Sequence, residues 1–71
     1  GLMGMLTRYV IDGAFLLLAG FQRNGVDITL SINLSIQNLI EPGIVHYVTA
    51  AASSANINLS DVVLEVTETS M

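Results

Sequence analysis

The chain has 71 residues, 52% hydrophobic and only 11% charged, with no cysteine and a formal charge of −4. That length allows one small domain at most, burying roughly 60% of its extended surface, and the lack of cysteine excludes a disulfide, a thiolate zinc site and a cysteine nucleophile. Two basic against six acidic side chains leave no basic patch for nucleic acid.

A typical soluble domain has about 25% charged residues, so this chain is expected to have apolar faces that further elements cover. Neither Gly1-Leu2-Met3-Gly4 nor Met71 reads as a domain boundary. Residues 1–71 are therefore expected to be an internal fragment of a larger domain. In isolation they are expected to be marginally stable or to self-associate.

Leu2 to about Arg23, rich in Leu, Ala and Met, predicts a helix. Arg8 and Asp12, four apart, are expected to pair on its exposed side, worth about 0.2–0.5 kcal/mol. Ala14 to Ala19 is apolar nearly all round, predicting burial on more than one face in the intact protein, and Met3 and Met5 are expected to fill the core. The apolar run Ala14 to Phe21 falls well short of the about 20 residues of a membrane span. No positively charged leader precedes it. A cytoplasmic setting without direct membrane insertion by this segment is expected, whether or not a longer parent is anchored elsewhere. Asn24-Gly25 is the stop signal, suited to a left-handed cap.

Ile28 to Ser35 alternates apolar and small polar residues, a strand pattern. Ile28, Leu30, Ile32 and Leu34 are predicted to pack on a helix layer, with Thr29, Ser31, Asn33 and Ser35 on the other face. Ile36 to Leu39 then predicts one short turn, and Glu41-Pro42-Gly43 introduces a second helix with Pro42 in its first turn. Ile44, Val48, Ala51, Ala52 and Ala55 form its expected buried stripe, opposite His46, Ala50 and Ser53. His46 has no histidine or carboxylate at helical ligand spacing on its face. It reads as an exposed structural residue rather than a ligand.

Asn56 to Asp61 ends that helix, and Val62 to Thr67 alternates again, with Val62, Leu64 and Val66 on one face and Val63, Glu65 and Thr67 on the other. A helix between the two strands suits a parallel pair, since an antiparallel pair needs only a short turn. Helix, strand, helix, strand is the alternation of an α/β fold. Two strands cannot close a sheet over two helices, so the expected whole is a larger parallel sheet, most simply a barrel.

Parallel neighbours would bring Asn33 and Glu65 together near the carboxyl ends of their strands, where such folds place their chemistry. An amide oxygen and a carboxylate suit a hard cation such as Mg²⁺. Thr67 shares the Glu65 face and can donate a hydrogen bond to a carboxylate or phosphate oxygen, whereas Glu68 falls on the opposite face and is expected to organise the loop leaving the strand. An ordinary solvated sheet face is the competing reading of the same alternation.

Ser31-Ile32-Asn33-Leu34-Ser35 with Gln37 and Leu39, followed by Leu64-Glu65-Val66-Thr67-Glu68-Thr69, closely resembles the EAL domain, a bacterial second-messenger phosphodiesterase of signal transduction. Gly1-Leu2-Met3 with Leu6-Thr7-Arg8-Tyr9-Val10 is similar to the helix after that family's Glu-Ala-Leu motif. The resemblance implies a modified (β/α)₈ TIM-type barrel, of which these residues are a slice. It also implies a metal-dependent phosphodiesterase that hydrolyses cyclic diguanylate (cyclic-di-GMP) to linear pGpG with Mg²⁺ or Mn²⁺, commonly as a homodimer. Asn33 and Glu65 match the family's metal ligands, and Thr67 and Glu68 match residues supporting the active-site loop and its link to dimerisation. The Glu-Ala-Leu motif, the paired aspartates and the lysine that assists the attacking water lie outside these residues, so the fragment alone is expected to be inactive and to bind metal weakly. A catalytically degenerate dinucleotide receptor or interaction module is the alternative for the parent.

Overall fold

In the computed structural model, which describes residues 2–67, helix α1 (Leu2–Arg23) leads to strand β1 (Leu30–Ser35), a short helix α2 (Ile36–Leu39) and helix α3 (Ile44–Ala55). A single 3₁₀ turn (Leu59–Asp61) then leads into strand β2 (Val62–Thr67). The strands pair in parallel, Leu30 opposite Val62 through Ser35 opposite Thr67. This is the expected α/β order.

Both long helices stop by the same device. After α1, the Val26 N–H donates to the Phe21 carbonyl (3.0 Å) and the Gly25 N–H to the Gln22 carbonyl (3.1 Å), with Gly25 left-handed at φ 78°. After α3, the Ile57 N–H donates to the Ala52 carbonyl (3.0 Å) and the Asn56 N–H to the Ser53 carbonyl (3.1 Å), with Asn56 at φ 60°. This is the paired bonding of a Schellman turn, which satisfies carbonyls that the helix end would leave open. Glycine takes the left-handed position freely, and asparagine is the side chain that tolerates it best.

The core lies between the helices and one face of β1. Ile11, Phe15, Leu18 and Ala19 of α1 meet Ile32 and Leu34 of β1 and Ile44, Val48 and Ala52 of α3, with Ile57 closing the end. Full burial of side chains such as Phe15 and Leu18 contributes about 1.5–3 kcal/mol each. Ala51 and Ala55 pack at the margin of this cluster, as their place in the α3 stripe predicts. His46, Ala50 and Ser53 are exposed on the opposite side.

Several expectations need correction. β1 starts at Leu30 rather than Ile28, because β2 begins at Val62 and offers no partner for residues 28 and 29. Ile28 is exposed. Pro42 lies in the turn before α3 rather than in its first turn: Gly43, left-handed at φ 84°, is the N-cap residue. Met5 is 69% exposed and outside the core. Leu64 and Val66 of β2 are likewise exposed, since the helices cover β1.

α1 is also longer and more apolar than the Ala14 to Phe21 run suggests. Gly4–Arg23 would, by length and composition alone, be able to cross a membrane. Within this fold its buried residues are those facing β1 and α3.

Candidate functional site

The polar face of β1 exists because its other face is fixed. Ile32 and Leu34 are held under the helices, and a strand's period of two then turns Ser31 and Asn33 away from the core, where both are exposed. In the parallel register Asn33 lies directly opposite Glu65 and Ser35 opposite Thr67. Neighbouring strands are about 4.8 Å apart, so Asn33 and Glu65 are side by side toward the carboxyl ends of the pair, both exposed. Among the described residues neither side chain has a hydrogen-bond or ion-pair partner. Thr67, at the end of β2, is exposed as well, and Glu68 lies outside the described residues.

An amide oxygen and a carboxylate are donors of the kind that Mg²⁺ and Mn²⁺ accept. They fit such a cation in chemistry and fall short in number: no group of three or more His, Cys, Asp or Glu positioned to hold a metal occurs among the described residues. His46 stays apart from this face, on the exposed side of α3.

Ser35, whose place in the alternation suggests only a polar sheet face, has a different role. It is the N-cap of α2: its hydroxyl oxygen accepts from the Asn38 N–H (3.2 Å). The Asn38 carbonyl oxygen Oδ1 accepts in turn from the Ser35 hydroxyl (2.9 Å) and, more loosely, from the Ser35 N–H (3.3 Å). This is a capping box, with asparagine in place of the usual Glu or Gln. Asn38 Nδ2 also donates to Thr7 Oγ1 of α1 (3.0 Å). Serine followed three residues later by an amide was a readable sign of the box; the tie to Thr7, far away in sequence, was not.

A second polar cluster joins α1 to α3 and the turn before it. Arg8 does not pair with Asp12. Its Nη1 is 2.8 Å from Glu41 Oε2, an ion pair whose geometry is not that of an aligned hydrogen bond, since Oε2 is buried without a hydrogen-bond partner. The Glu41 carboxylate lies against Gly4, where a Cβ would collide with it. Arg8 also stacks over Tyr47, its Cζ 5.3 Å from the ring centroid, a cation–π contact. Asp12 is instead the acceptor for the Tyr47 hydroxyl, which is 2.7 and 2.6 Å from its two oxygens and has one proton to donate to either. This hydrogen bond, with burial and the Asp12 charge adding to it and Arg8 opposing, raises the Tyr47 pKa above that of an ordinary tyrosine. Helical spacing predicted the local pair, but the partners delivered by α3 and its preceding turn won.

At the other end of the sheet, Gln22 Nε2 donates to Asp61 Oδ2 (2.9 Å), and Asn58 Oδ1 accepts from the Ser60 N–H (3.0 Å). These contacts steer the chain into β2 from the amino end and leave the carboxyl end of that strand without a comparable tie among the described residues.

No curated protein and no solved structure matches the chain significantly. The family model described as the EAL domain matches residues 1–71. With the Asn33 strand and the Glu65 strand side by side in a parallel sheet, and with the match spanning the whole sequence, the chain belongs to the EAL-domain family.

Proposed function

We propose that residues 1–71 are an internal slice of a (β/α)₈-type barrel that hydrolyses cyclic diguanylate to linear pGpG. Asn33 and Glu65 are its metal-binding residues within this chain. The observation that carries this reading is their pairing in register toward the carboxyl ends of two parallel strands, in a chain whose family generally acts on this dinucleotide.

Asn33 would hold Mg²⁺ or Mn²⁺ through its amide oxygen and Glu65 through its carboxylate, leaving the rest of the coordination shell to water, substrate and groups outside these residues. The bound ion supplies Lewis acidity toward the phosphodiester and an acidified water. Thr67 offers a hydroxyl donor beside Glu65 for a ligand carboxylate or a phosphate oxygen. The small polar residue Ser31, further back on the same face as Asn33, leaves room on that face for water or substrate.

The test is turnover of cyclic diguanylate by the intact protein carrying this chain, with Mg²⁺ or Mn²⁺ added, for the native sequence and for Glu65→Gln and His46→Ala. Glu65→Gln removes an anionic ligand at nearly constant size and is expected to depress metal affinity and turnover by at least about tenfold, with His46→Ala close to native. Comparable losses in the two variants, both shown to be folded, would reject the assignment. Dinucleotide binding by calorimetry without turnover in the native protein would identify a degenerate receptor instead.

A further inference from the structure

We propose that Asn38 is a positioning residue for Asn33: it locks the carboxyl end of β1 to α1 and so presets one of the two metal-binding side chains. This inference rests on the reading of Asn33 as a metal ligand and adds a residue that touches neither metal nor substrate.

β1 ends at Ser35, two residues beyond Asn33. At that residue the strand is held by three contacts to Asn38, from the Ser35 N–H (3.3 Å), from its hydroxyl (2.9 Å) and, in the reverse direction, by the Asn38 N–H on the Ser35 hydroxyl (3.2 Å). A capping box alone would only start a helix. Here the amide nitrogen of the same side chain also donates to Thr7 Oγ1 (3.0 Å), 31 residues away. One side chain therefore binds the strand end with its oxygen and the helix layer with its nitrogen.

The strand residue between Ser35 and Asn33 is Leu34, 3% exposed in the core. Asn33 thus sits between a buried apolar anchor and a polar lock, with little freedom to tilt. Glu65, by contrast, is flanked by Leu64 and Val66, both exposed. Ligand geometry is sensitive on the scale of about 0.5–1 Å, which makes loosening the Ser35 end a perturbation of metal binding and not of stability alone.

The experiment uses the intact protein carrying this chain and reads Mn²⁺ binding directly, from the electron paramagnetic resonance signal of free Mn²⁺, beside the Mn²⁺ concentration that gives half-maximal turnover. Asn33→Ala, Asn38→Ala and Thr7→Val are compared well below their melting temperatures. Asn38→Ala is expected to weaken Mn²⁺ binding roughly tenfold, the lower end of the range for residues that support a ligand. Thr7→Val, nearly isosteric and removing the hydroxyl that accepts from the Asn38 amide, should shift it in the same direction by about threefold, and it keeps the test decisive if Asn38→Ala fails to fold. If Asn33→Ala weakens Mn²⁺ binding while Asn38→Ala and Thr7→Val lower only the melting temperature, the positioning role is wrong and the ligand reading stands. Unchanged Mn²⁺ binding in Asn33→Ala overturns the ligand reading and the positioning role with it.

Discussion

β1 and β2 have nearly the same sequence pattern and opposite surroundings. Ile32 and Leu34 are 6% and 3% exposed, whereas Leu64 and Val66, their register partners, are 37% and 46% exposed. Alternation decides which side chains share a face, because that follows from the backbone of a single strand. It does not decide whether the face is covered, which depends on where distant helices lie. In this chain α1 and α3 both pack over β1, and β2 stands at the margin of the layer, beside an open apolar groove of about 250 Å³ lined by Leu34, Leu39, Val48, Val62 and Leu64 among others.

The largest test of that difference is a matched pair of truncations. Leu34→Ala should cost about 2–5 kcal/mol, the range for a leucine removed from a packed core. Leu64→Ala, at a position already open to water in this chain, should cost about 1 kcal/mol or less. Denaturant melts of the two variants measure the gap directly. Equal losses would mean that β2 is covered, by self-association for example, and sedimentation at several concentrations would then reveal the oligomer.

A smaller effect separates the two helix ends that lead into these strands. Gly25 precedes β1 and Asn56 precedes β2, and both hold the left-handed position of the same Schellman turn. Gly25→Ala should lose about 1–2 kcal/mol, the cost of a Cβ in that conformation, since no neighbouring atom would obstruct the new methyl group and only the backbone cost remains. Asn56→Gly should gain up to about 1 kcal/mol. A melting temperature that moves in the same direction for both substitutions would contradict the shared geometry.

These comparisons also mark how far the sequence could be read. The alternation of Ile28 to Ser35 and Val62 to Thr67, the Asn24-Gly25 stop and the Ile44-Val48-Ala52 stripe are local signals, and each has its counterpart in the fold. The approach of Asn33 to Glu65 was legible too, because two strands joined through a helix can be parallel and then bring their carboxyl ends together, whereas the exact register belongs to the folded pair. What escaped depends on contacts between distant residues. Ile28 and Thr29 fall outside β1 for want of a partner strand, Met5 is exposed despite its apolar chain, and Arg8 prefers Glu41 to the aspartate one helical turn away. The Asn38 tie to Thr7 is of the same kind: its cap half is written in four consecutive residues and its tertiary half is not.

The smallest effect concerns the polar seam that holds the helix layer above β1, and its pH dependence is confined to alkali. The Tyr47 hydroxyl donates to Asp12, and that hydrogen bond leads the causes that raise its pKa above the ordinary value of about 10. A group whose pKa is higher in the folded than in the unfolded chain contributes stability that is fully present below the unfolded value and is lost as pH rises through the folded one. The α1–α3 seam should therefore keep the full contribution of this bond at neutral pH and should weaken once the pH exceeds about 10, as the phenol loses its proton beside the Asp12 carboxylate. Tyr47→Phe removes this titration and keeps the ring under Arg8. Melting temperatures of the native chain should fall more steeply between about pH 9 and 11 than those of Tyr47→Phe, and hydrogen exchange over that interval should accelerate first in α1, α3 and β1, with β2 amides, already poorly covered, changing least. Identical alkaline slopes for the two proteins would show that the Tyr47–Asp12 bond does not couple the helix layer to the buried strand.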